Sequence, residues 1–269
     1  MNSQNLLYIA LIGLALIVIF AIVHVTTKTK FEIRTMIIVS FMSLLSMVLA
    51  IYSMIIPLFG FPSLKFGFSQ LPIMMAGALF GPWWGMICGV LEDLLELASG
   101  TITSPYIGFT LNKALIGIIP GLVFLLAARY PKKLKPVLIG MVAILYTASI
   151  GFILTTTSIT ASQVTYVLDP MVKAVMIGMI LAILPVTFLV TRTLKQVDIK
   201  QVQFQTWLLA VILIEVLVNV ILTPLWLQNM YGIPFVIQVV IRCVKASFFV
   251  VLNTFLAHFI YQNLKRLKR

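Results

Sequence analysis

Apolar and polar positions along this chain fall into long alternating blocks, not into the short periods of a soluble protein. Nine apolar stretches follow one another, separated by short polar or mixed segments. A helix that crosses a bilayer needs about 20 mostly apolar residues. The pattern therefore predicts an all-α integral membrane protein with about nine spans, at residues 5–25, 35–57, 68–81, 83–98, 109–128, 137–157, 172–191, 205–226 and 235–260. The third and fourth stretches are short and meet at Gly81-Pro82, which fits either two short spans or one broken hairpin.

Composition supports a membrane location, and the distribution of charge predicts an orientation. Hydrophobic residues make up 61% of the sequence and charged residues 10%, and the mean hydropathy is +1.13, outside the range of soluble domains. The net charge is +12, and most Lys and Arg residues lie in clusters after spans one, five, seven and nine. The loops on the opposite side contain a single basic residue, Lys65. Because basic loops stay on the cytoplasmic side, the N-terminus is predicted outside and the C-terminus inside. The basic excess then reflects topology and lipid contact, not nucleic-acid binding.

The stretch from residue 66 to residue 111 combines two unusual features. Glycines that allow close helix packing recur at every fourth position, at Gly77, Gly81, Gly85 and Gly89. Three carboxylates follow within apolar sequence, at Glu92, Asp93 and Glu96. Because charged side chains inside a membrane are rare and often functional, this stretch is predicted to contribute to a functional site.

The second span carries a stripe of small residues that includes Ser43, Ser46 and Ala50. Small residues at this spacing let two helices approach closely. The helix that packs there belongs either to the same chain or to a second subunit, and the residues alone leave both alternatives open.

Polar residues in the fourth, fifth, eighth and ninth spans are predicted to lie at similar depth. At a rise of 1.5 Å per helical residue, Asp93, Asn219 and Arg242 all fall in the outer half of the membrane. One structural ion pair is the simpler explanation, but the number of charged groups favours an outward-opening polar cavity. Aromatic side chains suited to a flat ligand lie near its mouth, at Tyr106, Phe109, Trp226 and Tyr231. Arg242 and Lys245 share a face of the ninth span and suit a carboxylate or another anion.

Missing motifs narrow the functional classes. The sequence has no GxxxxGK[ST] phosphate loop, no HExxH, no GxSxG and no spaced Cys/His set, so we expect neither an enzyme nor a cofactor or metal site. A binding protein that depends on partners for energy is the favoured interpretation. The alternative from another class is a stand-alone secondary transporter or channel whose acidic cluster relays protons or cations. A scaffold protein whose polar residues only pack helices is a weaker third possibility.

Two separated sets of motifs resemble the membrane-embedded substrate-binding (S) components of energy-coupling factor (ECF) transporters, and among these the folate type. The first is FGPWWGMICGVLEDLL followed by SPYIGFTL, and the second is VNVILTPLWLQNMYG followed by IRCVKASFF. The resemblance covers about residues 34–130 and 203–264. Residues on family positions include Asp93, Tyr106, Phe109, Asn219, Trp226, Arg242 and Lys245.

The resemblance implies a six-helix core with additions. Residues 1–30 would form an extra N-terminal transmembrane helix, 31–135 the first four core helices, 136–200 an inserted helix pair, and 201–269 the last two core helices and a basic cytoplasmic tail. Such a subunit lies in the bacterial plasma membrane as a multi-pass protein. It works with a transmembrane coupling subunit and two cytoplasmic ATPase subunits.

The resemblance also implies roles for individual residues. Arg242 and Lys245 would meet the acidic end of folate, Asp93 and Asn219 would hydrogen-bond its heterocycle, and Trp226, Phe109 or Tyr106 would stack on it. The small stripe, Ser43, Ser46 and Ala50, would be the interface with the coupling subunit. The sequence departs from the family pattern at Glu92, Glu96, Asn112 and Lys113, where small or apolar residues are usual. Another vitamin or a nucleobase-like precursor is therefore the nearest alternative ligand.

Overall fold

The computed structural model describes residues 3–27, 31–58, 61–100, 105–155, 158–161, 164–167, 170–171, 173–174, 177–178, 181, 199–233 and 235–267. The chain divides into two compact units. The first comprises Met1–Met54, Lys65–Leu125 and Tyr261–Arg269, and the second comprises Ile55–Leu64 and Leu126–Ile260.

Helices dominate the part of the chain that the structure describes. They are α1 (Ser3–Thr27), α2 (Ile33–Ile51), α3 (Gln70–Phe80), α4 (Pro82–Ala98), α5 (Ile107–Arg129), α6 (Pro131–Thr155), α7 (Ile199–Leu213), a π-helix (Ile214–Leu222), α8 (Thr223–Tyr231) and α9 (Phe235–Leu267). The last turn of α7 runs directly into the π-helix and then into α8, so the predicted eighth span is one continuous helical segment.

Four segments among the described residues are long and apolar enough to cross a membrane: Ile33–Ile51, Ile107–Arg129, Gln203–Tyr231 and Ile241–Leu264. Two further apolar helices are shorter, Ala10–Val25 and Gln70–Phe80. These helices agree with the prediction of a helical membrane protein. The count of nine spans and the orientation stay predictions, and the seventh predicted span, 172–191, lies largely outside the described residues.

Two short β-hairpins depart from the all-α expectation. Strand β1 (Met54–Leu58) pairs with β2 (Phe61–Phe66), and β3 (Ser158–Ala161) pairs antiparallel with β4 (Val164–Val167). The second span was predicted to reach residue 57, but α2 ends at Ile51. The strand that begins at Met54 contains two β-branched residues, Ile55 and Ile56, and then Pro57, which has no N–H for a helix. An extended backbone suits that sequence better than another helical turn does.

The break at Gly81-Pro82 is a reversal between two short helices. Gly81 adopts φ = +96°, a conformation that costs a residue with a Cβ, and Pro82 occupies the first turn of α4, where its missing N–H is no loss. A Cβ built on Gly85 would lie 2.6 Å from the Cα of Gly77. Because these two glycines stand four residues on either side of Gly81, α3 and α4 fold back on each other as a helical hairpin.

Helix α5 packs on this hairpin through backbone contacts at glycine. A Cβ on Gly117 would collide with the backbone of Gly85, and a Cβ on Gly121 would collide with the backbone of Pro82. At Gly89 the obstructing atom is the carbonyl oxygen of Lys113. The glycine spacing in the sequence therefore corresponds to close approach of α3, α4 and α5, as predicted.

Helix α1 packs on the same hairpin through aromatic contacts. The ring centroid of Trp83, at the start of α4, lies 4.5 Å from that of Phe20 and 4.6 Å from that of His24. Trp83 is buried. The N-terminal helix is thus part of the first compact unit and does more than anchor it.

The small-residue stripe on α2 also packs within the chain. Ser43 and Ser46 are both 0% exposed, and Ala50 is buried. The Ser43 hydroxyl donates to the Cys88 carbonyl on α4 at 3.1 Å, and the Ser46 hydroxyl donates to the Ser69 carbonyl at the start of α3 at 2.5 Å. Of the two alternatives for this stripe, the structure favours contact within the chain. The role of Ser43, Ser46 and Ala50 as an interface with a coupling subunit stays a prediction.

We predict that Gly117→Ala destabilises the protein by about 3 kcal/mol or more, the upper range for overpacking. The reason is that its added Cβ would meet backbone atoms of Gly85, which cannot move as a side chain can. The measurement is thermal unfolding of the purified chain in detergent. Gly140→Ala is the matched control, since a Cβ there meets nothing within 4 Å and alanine is the better helix former by about 1 kcal/mol. Equal unfolding temperatures for the two variants would contradict the packing described for α4 and α5.

Candidate functional site

Two of the three clustered carboxylates form ion pairs with the same lysine. The Lys113 ammonium forms an ion pair with Glu92 and a second with Glu96, the latter at 2.9 Å. Glu92 is fully buried and Glu96 nearly so. They stand one turn apart on one face of α4, and Lys113 is brought to that face because its own carbonyl packs against Gly89. Both carboxylates therefore share Lys113 as an ion-pair partner.

Asp93 stands next to Glu92 in sequence but makes a different contact. One of its oxygens, Oδ2, accepts a hydrogen bond from the Thr110 hydroxyl of α5 at 2.6 Å. The other, Oδ1, has no hydrogen-bond partner among the described residues. Thr110 therefore fixes the orientation of the carboxylate through one of its two oxygens.

Two aromatic residues predicted to contact a ligand lie together at the start of α5. The rings of Tyr106 and Phe109 meet edge to face, with centroids 6.2 Å apart. The Phe109 N–H donates to the Tyr106 carbonyl at 2.9 Å, and both residues are partly exposed. They belong to the same compact unit as Asp93.

In the second unit, the π-helix changes which backbone groups are paired. The Thr223 N–H donates to the Val218 carbonyl, five residues earlier, which is the π pattern. In that register the carbonyl of Asn219 would pair with the N–H of residue 224, but residue 224 is proline and has none. The Asn219 carbonyl is thus left without a donor from its own helix.

Arg242 of α9 supplies the missing donor. Its Nη1 donates to the Asn219 carbonyl at 3.3 Å, and its Nε donates to the Gln238 side-chain oxygen at 3.4 Å. The Asn219 side-chain amide donates in turn to Glu215 at 3.0 Å, and the Glu215 charge acts on Arg242. We call Glu215, Asn219, Arg242 and Gln238 the Arg242 network. It holds the guanidinium of a 7% exposed arginine between two helices.

The remaining predicted ligand residues also lie in the second unit. Trp226 is buried on α8 and Tyr231, at the end of that helix, is about half exposed. The Lys245 ammonium lies 4.8 Å from the centroid of the Phe249 ring, a cation–π contact. Arg242 and Lys245 are therefore held by different neighbours, although they share a helix face.

The predicted binding residues divide between the two units. Asp93, Tyr106 and Phe109 belong to the first, and Asn219, Trp226, Arg242 and Lys245 belong to the second. Their convergence on one cavity stays a prediction. Among the described residues, no group of three or more His, Cys, Asp or Glu side chains is arranged to hold a metal ion.

The sequence analysis did not identify two residues that contact the predicted binding residues Asp93 and Arg242. Thr110 was noticed only as part of the GFTL motif, although its place on α5 brings its hydroxyl to Asp93. Gln238 lies four residues before Arg242, a spacing that puts the two on one helix face, and that spacing was the available signal.

Comparisons with known proteins agree with this arrangement of helices. The family model described as ECF transporter, substrate-specific component, matches residues 34–165. Among solved structures, one described as "Crystal structure of FolT bound with folic acid" is similar to this chain with a TM-score of 0.51 at 18% identity, and the match covers 86% of this chain and 95% of that one. No curated protein matches the sequence.

The residues covered by the family model can be compared with the predicted division into core and inserted helices. The family model includes Asp93, Tyr106 and Phe109 and runs past residue 136, into the stretch predicted as an inserted helix pair. The likeness to FolT concerns the fold, given its identity of 18%. The division into core and inserted helices stays a prediction.

We predict that Lys113→Met destabilises the protein by about 3–5 kcal/mol, because it leaves two buried carboxylates without their counter-charge. The measurement is thermal unfolding in detergent. Adding Glu92→Gln and Glu96→Gln to Lys113→Met is expected to restore much of the loss, since no buried charge is then uncompensated. A triple variant less stable than Lys113→Met would contradict the ion network.

Proposed function

Because the chain belongs to the family of ECF transporter substrate-specific components, we propose that it is the membrane subunit that binds a vitamin for an ECF-type importer, with folate as the substrate. Folate joins a flat heterocycle rich in N–H donors to a dicarboxylate end. The proposal therefore requires an acceptor for the heterocycle and basic groups for the carboxylates.

The observation that carries the ligand chemistry is the orientation of Asp93. Thr110 occupies one carboxylate oxygen, and the other has no partner among the described residues. Hydrogen bonds to an ionised group are about twice as strong as neutral ones, so this oxygen suits the amino and ring N–H groups of a heterocycle. Tyr106 and Phe109 are proposed to stack on the same ligand.

The acidic end of the ligand is assigned to Arg242 and Lys245. Both side chains are cationic and stand three residues apart on α9, so they offer positive charge to an anion from one helix face. The planar guanidinium of Arg242 suits a carboxylate. Asn219 is proposed to hydrogen-bond the heterocycle together with Asp93, and Trp226 is proposed to stack on it.

The energy for transport is proposed to come from partner subunits. The sequence has no phosphate loop with which to hydrolyse ATP. A coupling subunit and two cytoplasmic ATPases would drive reorientation and release of the vitamin. The competing proposal, a proton or cation relay through the acidic cluster, is weakened because Glu92 and Glu96 both pair with Lys113.

We predict that folate raises the unfolding temperature of the detergent-solubilised chain above that with any other vitamin in a panel. Ligand that binds only the folded state stabilises it by about 2.7 kcal/mol at 100 times its Kd. The measurement is a thermal-shift screen followed by titration calorimetry. A shift with a different vitamin would replace folate while keeping the functional class.

Transport tests the functional class itself. We expect vesicles that contain the chain alone to bind the vitamin without accumulating it, and accumulation to require co-expressed coupling and ATPase subunits. Uptake by the isolated chain that follows a proton or sodium gradient would refute the proposal and support a secondary transporter.

We predict that Asp93→Asn and Arg242→Lys each weaken folate binding about 10- to 100-fold. A hydrogen bond to a charged group contributes about 1.5–3 kcal/mol, and 1.4 kcal/mol is tenfold in affinity. Asparagine has the size of aspartate without its charge, and lysine keeps the positive charge near Glu215 without the planar guanidinium. The control is Lys173→Ala, since Lys173 donates to the Leu154 carbonyl at 3.1 Å and has no proposed ligand role. Equal affinities in all three variants would remove Asp93 and Arg242 from the site.

A further inference from the structure

The Arg242 network ends on a buried donor that has nothing to donate to. Gln238, in the first turn of α9, is 0% exposed, and its Nε2 has no hydrogen-bond partner among the described residues. Buried polar groups are nearly always hydrogen-bonded. A buried amide that lacks an acceptor therefore indicates a missing molecule or a functional role.

The identity of the unpaired atom follows from its neighbour. Oxygen and nitrogen of a side-chain amide are assigned from their hydrogen bonds. Arg242 has only donors, so the atom that faces its Nε at 3.4 Å must be the Gln238 oxygen. The amino group of Gln238 consequently faces away from Arg242, and what it lacks is an acceptor.

A second buried amide on the same helix serves as a comparison. Asn253 is also 0% exposed, and neither of its amide atoms has a partner among the described residues. It lies eleven residues beyond Arg242, about 16 Å along the helix at 1.5 Å per residue. Gln238 differs from Asn253 because it is bonded to the arginine that is proposed to meet the ligand.

We infer that Gln238 is a ligand-contacting residue whose Nε2 donates to an oxygen of the glutamyl carboxylates, beside the position served by Arg242. The inference rests on the proposed function, since it requires a ligand with an acidic end. Gln238 and Arg242 stand at positions i and i+4, so both can reach one group from the same face of α9.

Such a donor is expected to discriminate between ligands with and without an acceptor oxygen at this position. A site built to hydrogen-bond a ligand oxygen strongly rejects an analogue that lacks it, because the buried donor then stays unpaired. The glutamyl group of folate is thus expected to be recognised through its acceptor oxygens as well as through its charge.

The test compares two ligands and two substitutions of Gln238 by calorimetry on the full chain. Gln238→Met keeps the length of the side chain without its polar atoms, and we expect it to weaken folate binding about 10- to 100-fold. Pteroate, which lacks the glutamyl group, is expected to bind this variant within about twofold of the unmodified chain. The unfolding temperature without ligand is expected to change little, because methionine removes an unpaired buried donor but also removes the acceptor of the Arg242 Nε–H.

Gln238→Glu separates contact with the ligand from positioning of Arg242. A carboxylate keeps the acceptor that Arg242 uses but replaces the donor with a charge that repels the ligand. We therefore expect a larger loss of folate affinity than with methionine. Retained or improved affinity in Gln238→Glu would show that Gln238 only positions Arg242, and would overturn the inference.

Asn253→Leu is the matched control, and we expect it to bind both ligands like the unmodified chain. The inference is also overturned if Gln238→Met leaves folate binding unchanged, if it weakens folate and pteroate equally, or if Asn253→Leu causes the same loss. An unmodified chain that binds no folate would instead refute the proposed function, and with it this inference. The two failures are therefore distinguishable.

Discussion

A charged group that is removed from water has to find its counter-charge within the protein, and much of this chain is arranged around that requirement. An isolated ion in an apolar interior is too costly to persist. In the first unit, Lys113 serves two carboxylates of α4. In the second, Glu215 balances Arg242 across the π-helix and α9. These pairings do not involve the second carboxylate oxygen of Asp93, which has no hydrogen-bond partner among the described residues.

The glycine contacts make the first of these pairings possible. Helices α4 and α5 approach so closely at Gly85 and Gly117 that no Cβ fits between them. The same approach puts the Lys113 backbone against Gly89 and its ammonium against Glu92. Close packing and charge compensation, which appear as separate features along the sequence, are therefore consequences of one helix crossing.

Patterns that depend on local physics were predictable from the sequence. The reversal at Gly81-Pro82 follows from a glycine with positive φ and a proline in the first helical turn. Helix α5 follows from an apolar run of membrane length. Features that depend on long-range contact were not predictable. Whether the Ser43 stripe packed within the chain or against a partner depended on the position of Cys88, which no local pattern specifies.

The same distinction applies to the candidate site. The chemistry of Asp93 and Arg242 could be read from charge in an apolar segment, but their hydrogen-bond partners could not. Thr110 and Gln238 are ordinary residues of their helices until the fold brings one to a carboxylate and the other to a guanidinium. Strand β1 (Met54–Leu58) was missed because its apolar residues continue the hydrophobic run of α2.

The π-helix has a consequence for how the end of its segment is oriented. A turn closed by i→i+5 bonds contains about one residue more than an α-turn, so side chains after Ile214–Leu222 are rotated about the axis relative to an uninterrupted α-helix. The direction of Trp226 is thereby uncoupled from the packing of α7. Insertion or deletion of one residue in this segment would re-phase the aromatic face of α8 while the buried face of α7 kept its contacts. A one-residue change in this segment is therefore a way to turn the residues of α8 without repacking α7.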